Sequence, residues 1–142
     1  MKTDQIKHKD ITEKILKGFY DVYNELNSGF LESVYESAME IALTGQKLSV
    51  ERQREVSVYF RGNNIGNYKA DMIIDNMVIV GLKAAHHIDP VHEAQLINYL
   101  RATDIEIGLL LNFGRKPEFK RLIYENNRKC IREDPRKSAA HK

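Results

Sequence analysis

Three charged residues, Glu32, Asp71 and Lys83, have the side chains that metal-dependent hydrolysis of a phosphodiester requires. That chemistry needs carboxylates that converge on a divalent cation, and a positive charge near the attacking water or the transition state. The three residues are far apart in the sequence, so the fold has to bring them together. They are candidates for one site only if the surrounding elements place them on the same side of the molecule.

Whether Asp71 and Lys83 share a face depends on the turn between their two strands. Asp71 lies in the strand before the turn at Asp75-Asn76, and Lys83 ends the strand after it. A two-residue turn sends the two side chains to opposite faces, because side chains alternate along a strand. A three-residue turn puts Asp71 opposite Gly81, on the face that Lys83 shares. The sequence leaves both registers open, and the site requires the three-residue turn.

The N-terminal part of the chain predicts the first of two helices that flank these strands. Apolar residues recur every three or four positions from Ile11 to Leu26, which is the stripe of an amphipathic helix. Asp10 and Glu13 have the spacing of a capping box at its start. Ser28-Gly29 then breaks the pattern and predicts the end of this helix.

The second predicted helix ends near Gly45. Its proposed buried side is made of residues at helical spacing, namely Leu31, Val34, Tyr35, Ala38 and Ala42. Because Gly29 sets the entry of the chain into this helix, we expect Glu32 to point towards Asp71 and Lys83 rather than into solvent.

The middle of the chain alternates apolar and polar residues, which is typical of strands. Val56, Val58 and Phe60 alternate with polar neighbours, and a turn cluster at 62–64 leads into a second strand that ends at Ile74. The next segment, residues 77–80, is apolar on both faces, as a central strand covered by helices is. These segments predict antiparallel strands in a sheet that needs helices on both sides.

The C-terminal half predicts one more strand between two helices. A loop through Pro90 is followed by helical spacing in 92–102, which puts Ala94 or Gln95 on one side with Ile97. Residues 107–111 form a short apolar run suited to a buried strand, and residues 119–127 have helical spacing. The order of elements predicts an α/β fold with a mixed sheet.

Five segments, in order between Gly29 and Gly114, resemble a known family, and the resemblance spans roughly residues 10 to 125. They are Gly29-Phe-Leu-Glu32-Ser-Val-Tyr35, Tyr68-Lys-Ala-Asp71, Val78-Ile-Val-Gly81-Leu-Lys83-Ala, Gln95-Leu-Ile-Asn98-Tyr99-Leu and Gly108-Leu-Leu-Leu-Asn112-Phe113-Gly114. In these segments the sequence resembles the GxxExxY proteins, a branch of the PD-(D/E)XK nuclease-like superfamily.

The resemblance implies a restriction-endonuclease-like α/β core, with a mixed central sheet flanked by helices on both faces. It implies hydrolysis of nucleic acid with Mg²⁺ or Mn²⁺, bound by Asp71 and Glu32, and it implies that Lys83 is the lysine of the catalytic pattern. The implied catalytic set is Glu32, Asp71, Lys83 and Gln95, and the residues implied to line the same pocket are Tyr35, Gly81 and Tyr99.

Gly81 departs from the pattern that the rest of the sequence resembles, because that pattern has an acidic residue at this position. Glycine inside a strand is also disfavoured by about 0.5–1 kcal/mol relative to alanine, so strand formation gives no reason for it. We therefore predict that hydrolysis is impaired. The alternative is a catalytically inactive module of the same fold that binds nucleic acid or a protein. The sequence does not distinguish DNA from RNA as the substrate, and it does not determine the oligomeric state.

A transition-metal site is not predicted from the histidines or the cysteine. His86, His87, His92 and Glu93 are clustered, but their spacing fits no zinc pattern, since adjacent residues point apart in a strand and diverge by about 100° in a helix. Cys130 is the lone cysteine, which excludes an internal disulfide and a thiolate zinc knuckle.

Composition predicts one globular domain in residues 1–127 and a basic tail in 128–142. The 142 residues are 42% hydrophobic and 30% charged, and the longest apolar run is too short to span a membrane. The N-terminus is too polar for a signal peptide, so we expect a cytoplasmic protein. Residues 115–142 hold 10 Lys and Arg against 4 Asp and Glu. Such a segment either lies along a phosphate backbone or is a solvated end.

Overall fold

Three helices, five strands and one 3-10 turn make up residues 8–129, the part of the chain that the computed structural model describes. Helices α1 (Lys9–Leu26) and α2 (Glu32–Gly45) come first, followed by strands β1 (Val50–Phe60), β2 (Asn63–Ile74) and β3 (Val78–Lys83). Helix α3 (Pro90–Arg101) leads to β4 (Ile107–Phe113) and β5 (Pro117–Ile123), and the turn is Asn126–Arg128. The predicted helices α1, α2 and α3 and strands β1 to β4 are confirmed.

The five strands form one mixed sheet in the order β1-β2-β3-β4-β5. β3 and β4 run parallel, and the other neighbouring strands run antiparallel. A parallel pair needs a crossover connection, which α3 provides. Val78, Val80 and Leu82 of β3 pack with α1 and α2 on one face, whereas Ile79 packs with α3 on the other. The predicted α/β fold with helices on both faces of the sheet is therefore confirmed.

Helix α1 buries the stripe that its sequence predicts, including Ile15 and Phe19. Its start differs from the prediction. The helix begins at Lys9, and among the described residues no side-chain hydrogen bond caps it. Asp10 lies in the first turn, so the capping box predicted for Asp10 and Glu13 is wrong. The negative charge still lies near the positive end of the helix dipole, where it is favourable.

Helix α2 buries most of the predicted side, since Tyr35 is buried and Ala38 and Ala42 pack against the core. Its buried residues are Tyr35, Glu36, Met39 and Leu43. Leu31 is 76% exposed and Val34 is 39% exposed, so placing them on the buried side was wrong. The stripe from Tyr35 to Leu43 recurs every four residues and packs in the cluster with α1 and the sheet.

The helix predicted for residues 119–127 is wrong, because Pro117–Ile123 form strand β5. This strand pairs antiparallel with β4 from Phe113, opposite Pro117, to Ile107, opposite Ile123. β4 is buried at all seven positions. Its backbone groups need hydrogen-bond partners away from water, so the pairing outweighs a short helical pattern.

The last described residues are held against the body of the protein. The Lys129 ammonium donates hydrogen bonds to the carbonyl oxygens of Thr103 (2.9 Å) and Ile105 (2.7 Å). Most of the predicted tail, from position 130 onward, lies outside the described residues, and the domain boundary at 127 stays a prediction. Within residues 8–129, no helix is long and apolar enough to cross a membrane.

Candidate active site

The turn between β2 and β3 has the three residues that the site requires. Ile74 pairs with Val78, which leaves residues 75–77 as the loop. Asp75 and Asn76 have φ values of 51° and 56°, a left-handed conformation that these residue types tolerate better than most. The Ser49 amide also donates to Asp75 Oδ1 at 2.7 Å. These contacts fix the register that the sequence alone leaves open.

Asp71 lies where β2 and β3 separate. The last backbone pair towards this end is Met72 with Val80, and the next position of the same register sets Asp71 opposite Gly81. The backbone amide of Leu82 donates to Asp71 Oδ2 at 2.8 Å, so the carboxylate replaces a backbone acceptor at the opening of the hairpin. One carboxylate oxygen is therefore already used by the protein backbone.

The surroundings of Asp71 favour its protonated form. Burial raises the pKa of Asp71 above its ordinary value of 3.8, and the charges of Glu36 and Glu32 raise it further. The hydrogen bond from Leu82 and the positive charge of Lys83 act in the opposite direction, but the net shift is upward. Lys83 is thus near enough to influence Asp71, as the predicted site requires.

Gly81 is not required by the geometry of β3. Its φ is outside the left-handed region, and a Cβ atom at this position would lie 3.2 Å from Leu110 Cδ1. That methyl group is the end of a flexible side chain, so a shift of a few tenths of an ångström would make room. A Cβ atom opposite Asp71 therefore requires only that Leu110 shift slightly, and the backbone conformation does not demand glycine.

Glu32 is the first residue of α2 and is exposed. Its charge raises the pKa of Asp71, which places it within electrostatic reach of the site. Gly29, in the loop before α2, has a φ of 114°, which residues with a Cβ rarely adopt. The glycine of the first motif therefore shapes the chain ahead of Glu32. That the Glu32 carboxylate points to Asp71 stays a prediction.

Glu36 is a charged residue near the site that the sequence analysis missed. It is 7% exposed, and both of its carboxylate oxygens have partners. Arg52 Nε donates to Oε2 at 2.8 Å, and Gln53 Nε2 donates to Oε1 at 3.0 Å. The hydrogen bonds to Glu36 and Glu40 raise the pKa of Arg52 and keep it charged. The available signal was its position one helical turn after Glu32.

Tyr99 of α3 reaches the Asp71 side of the sheet. Burial raises the pKa of Tyr99 above its ordinary value of 10.0, and the charge of Asp71 and the neighbouring Tyr68 raise it further. The rings of Tyr68 and Tyr99 lie 5.8 Å apart, centroid to centroid, at 55°. Gln95 lies one helical turn before Tyr99 and is exposed. α3 thus brings Tyr99 to Asp71, and a catalytic role for Gln95 stays a prediction.

Tyr35 lies in the core and presents no surface to the site. It is fully buried and stacks on Phe113, with ring centroids 4.2 Å apart. Its hydroxyl donates to the carbonyl oxygen of Asn27 and accepts from the Phe30 amide. The motif tyrosine therefore holds the loop ahead of α2, the helix that begins at Glu32.

Asn112 and Gly114, at the end of β4, contact the chain just after the end of β3. Asn112 is fully buried; its side chain accepts from the Ala85 amide at 2.9 Å and donates to the Ala85 carbonyl oxygen at 3.0 Å. A Cβ atom on Gly114 would lie 2.2 Å from the Ala85 carbonyl oxygen, so only glycine fits there. Asn112 is also the register partner of Lys83. The sequence predicted only a strand end here, whereas these residues position Lys83.

The histidine cluster has structural contacts. The Asp89 amide donates to His92 Nδ1 at 3.2 Å, and the Asp89 side chain accepts from the Val91 amide, which together form the capping box of α3. His87 Nδ1 lies 3.9 Å from a Glu118 oxygen, and the side chain of His87 is 83% exposed.

The donor set around Asp71 does not fit a firmly bound Mg²⁺ or Mn²⁺ ion. Within residues 8–129, no group of three or more His, Cys, Asp or Glu side chains is arranged to hold a metal. Asp71 has one oxygen on the Leu82 amide, and Glu36 has both oxygens on Arg52 and Gln53. An octahedral magnesium ion needs converging oxygen ligands, and the position opposite Asp71 offers none.

Comparison with known proteins agrees with the observed fold. Residues 9–122 match the family model described as the PD-(D/E)XK nuclease superfamily. The crystal structure of SSO0001 is similar in fold, with a TM-score of 0.52 and 16% sequence identity. The alignment covers 85% of this chain and 62% of that one, so the chain spans less than two thirds of the SSO0001 chain. No match was found among curated proteins.

Proposed function

Because the chain belongs to the PD-(D/E)XK nuclease superfamily, we propose that it is a nuclease-like protein that binds nucleic acid and hydrolyses it poorly. The observation that carries this proposal is the pair of residues at the opening of the β2–β3 hairpin. Asp71 is on one strand, and the residue opposite is Gly81. A single carboxylate at this point leaves a divalent cation without the second protein ligand that metal-assisted hydrolysis calls for.

Within residues 8–129, no neighbouring acids form a group with Asp71 that could hold a metal ion. Glu36, one helical turn after Glu32, is buried, and both of its carboxylate oxygens already accept hydrogen bonds from Arg52 and Gln53. Glu32 is exposed at the start of α2. Binding of nucleic acid has no such requirement, because cations and hydrogen-bond donors contact phosphates without a metal. Binding is therefore the part of the ancestral function that these residues support best.

A protein-binding role is the second candidate, and exposed apolar side chains at the start of α2 favour it. Phe30 is 47% exposed and Leu31 is 76% exposed, and the two residues are adjacent in the chain just before α2. Exposed apolar side chains that are close together are typical of protein interaction sites. Phe30 lines a hollow together with Arg115, so the two candidate roles share part of one surface.

The test of impaired hydrolysis is a gain of function in the Gly81→Glu variant. A carboxylate at this position stands opposite Asp71, with Cβ atoms about 4.5–5.5 Å apart, close enough for both acids to bind one cation. We expect Mn²⁺ affinity, measured by calorimetry, and cleavage of DNA or RNA in Mg²⁺ or Mn²⁺ to rise together. Gly81→Gln is the matched control, because it adds the same volume without the charge and should change neither.

A second substitution shows whether the gained activity comes from this site. Asp71→Ala in the Gly81→Glu background should abolish both metal binding and cleavage. Strong metal-dependent cleavage by the natural Gly81 protein, abolished in Asp71→Ala, would contradict the proposal and show that Asp71 and Glu32 suffice. Absence of nucleic-acid binding by the natural protein would instead favour the protein-binding role.

A further inference from the structure

Tyr68 is an exposed aromatic residue beside the candidate site. β2 continues beyond Asp71 after its pairing with β3 has ended, so among residues 8–129 no strand pairs with β2 on that side at Tyr68. Tyr68 is 51% exposed, and its ring pairs with the ring of Tyr99. Tyr99 is partly buried and supports Tyr68 from α3. The two rings form an aromatic pair that has one open side.

A cationic groove lies beyond the ends of β3 and β4. It consists of two hollows that share His86 and Arg115, with volumes of about 280 and 470 Å³. Arg115 and Lys116 line the larger one, and neither side chain has an ion-pair partner among residues 8–129. Glu118 is the acid in this groove, and one of its oxygens already accepts from the Asn112 side chain.

The aromatic pair and the groove lie at the same end of the sheet. Lys83 is level with Asn112 in the parallel pair, so the loops that contain His86 and Arg115 leave the sheet side by side. β2 runs antiparallel to β3, so its part before Asp71, which carries Tyr68, extends towards this same end. Where β2, β3 and β4 are paired, adjacent strands are about 4.8 Å apart, so about 10 Å separates β2 from β4 there. Beyond Met72 and Val80, β2 is no longer paired with β3.

We propose that this end of the sheet binds single-stranded nucleic acid, with a base stacked on the Tyr68–Tyr99 pair and phosphates held by Arg115 and Lys116. The inference rests on the proposed nucleic-acid binding and adds the class of nucleic acid and the way it is held. Bases of a duplex are stacked on each other and cannot cover a side-chain ring, whereas those of a single strand can. Aromatic stacking tolerates any base, so the binding is independent of sequence.

The experiment compares two labelled strands that have the same length and number of phosphates, one of thymidines and one of abasic residues. Stacking of one base on an aromatic side chain strengthens binding by about 5- to 150-fold, so the natural protein should prefer the thymidine strand by this factor. Tyr68→Ala should remove the preference, and Tyr68→Phe should keep it because the ring remains. Tyr20→Ala is the matched control, since Tyr20 is an exposed tyrosine on α1, across the sheet.

The cations are tested with the Arg115→Ala, Lys116→Ala double variant. It should weaken binding of both strands alike and reduce the slope of log affinity against log salt by about one for each phosphate that the protein no longer neutralises. Lys14→Ala with Lys17→Ala on α1 is the control for charge alone, and it should leave the slope unchanged.

Several outcomes would overturn the inference. Equal affinity of the natural protein for the thymidine and abasic strands would exclude stacking, although the proposed nucleic-acid binding would stand. Tighter binding of a duplex than of either strand would also exclude stacking, and the proposed nucleic-acid binding would again stand. Failure to bind any of the three would remove the proposed binding function as well. Because the strand comparison uses the unmodified protein, an unstable Tyr68→Ala variant does not prevent a decision.

Discussion

Glu36 and Asp71 are two acids close enough for the charge of Glu36 to affect Asp71, but their carboxylates differ in hydrogen bonding. Glu36 has donors on both carboxylate oxygens, from Arg52 and Gln53. Asp71 has one donor, the Leu82 amide, and burial shifts its pKa upward. Paired acids such as Glu36 are typical of residues that stabilise a fold. An acid that is buried without full compensation costs stability, and such residues cluster at functional sites. The contrast agrees with a structural role for Glu36 and with the proposed functional role of Asp71.

The largest effect is expected from removing the partner of Glu36. Arg52→Met should leave the buried Glu36 carboxylate short of a charged hydrogen bond, and the free energy of unfolding should fall by about 1.5–3 kcal/mol. Urea unfolding followed by circular dichroism measures the loss. Arg61→Met, in the exposed turn between β1 and β2, is the control and should have little effect. An unchanged urea midpoint for Arg52→Met would mean that Glu36 is not held as a structural acid.

A smaller effect of opposite sign is expected from Asp71→Asn. The pKa of Asp71 is raised on folding from an ordinary value of 3.8, so the folded state binds more protons than the unfolded state. The stability of the natural protein relative to Asp71→Asn should therefore fall as the pH rises through 3.8 and the raised pKa. The asparagine variant, which keeps an oxygen for the Leu82 amide, should melt at a higher temperature at pH 7. Below pH 3.8 the two melting temperatures should converge.

The control for that comparison is Asp21→Asn on α1. Asp21 forms an exposed ion pair with Lys17 at 2.9 Å, so its neutralisation should leave stability nearly unchanged or slightly lower. A lower melting temperature for Asp71→Asn at pH 7 would show that Asp71 stabilises the fold, as Glu36 does, and the distinction between the two acids would disappear.

The smallest effect is expected from Lys83→Met. The positive charge of Lys83 lowers the pKa of Asp71, so its removal should raise that pKa further. Titration of the Asp71 carboxyl carbon by NMR measures the change directly. Lys120→Met, on β5 and three strands away from β2, is the control and should leave the titration unchanged. An unshifted Asp71 titration in Lys83→Met would place Lys83 outside the site.

Regular periodic patterns predicted the elements of the fold well, because burial of one face determines them. The stripe of α1 and the alternation in β1 are signals of this kind. The prediction for residues 119–127 failed because β5 depends on β4, which needs a partner along its edge. That requirement comes from tertiary structure and leaves no mark in the local spacing.

The candidate site could be predicted only in part. The resemblance supplied Asp71 and Lys83, but the register that puts them on one face depends on Asp75 and Asn76 adopting left-handed conformations and on the contact with Ser49. Glu36 was missed because a glutamate next to a buried tyrosine is usually solvated. Its burial depends on Arg52, sixteen residues later in the chain and on another element.

The contact between Asn112 and Ala85 also determines how the end of the sheet exchanges hydrogen with water. Ala85 lies in a loop, yet its amide is bonded to a fully buried side chain, as a strand amide is bonded to its neighbour. The side-chain amide of Asn112 thus adds one more pair of hydrogen bonds between the two chain segments, beyond the last backbone pair of β3 and β4. Exchange of the Ala85 amide proton requires this end of the parallel pair to open, so its rate reports the opening of the sheet beside Lys83 rather than the motion of the loop.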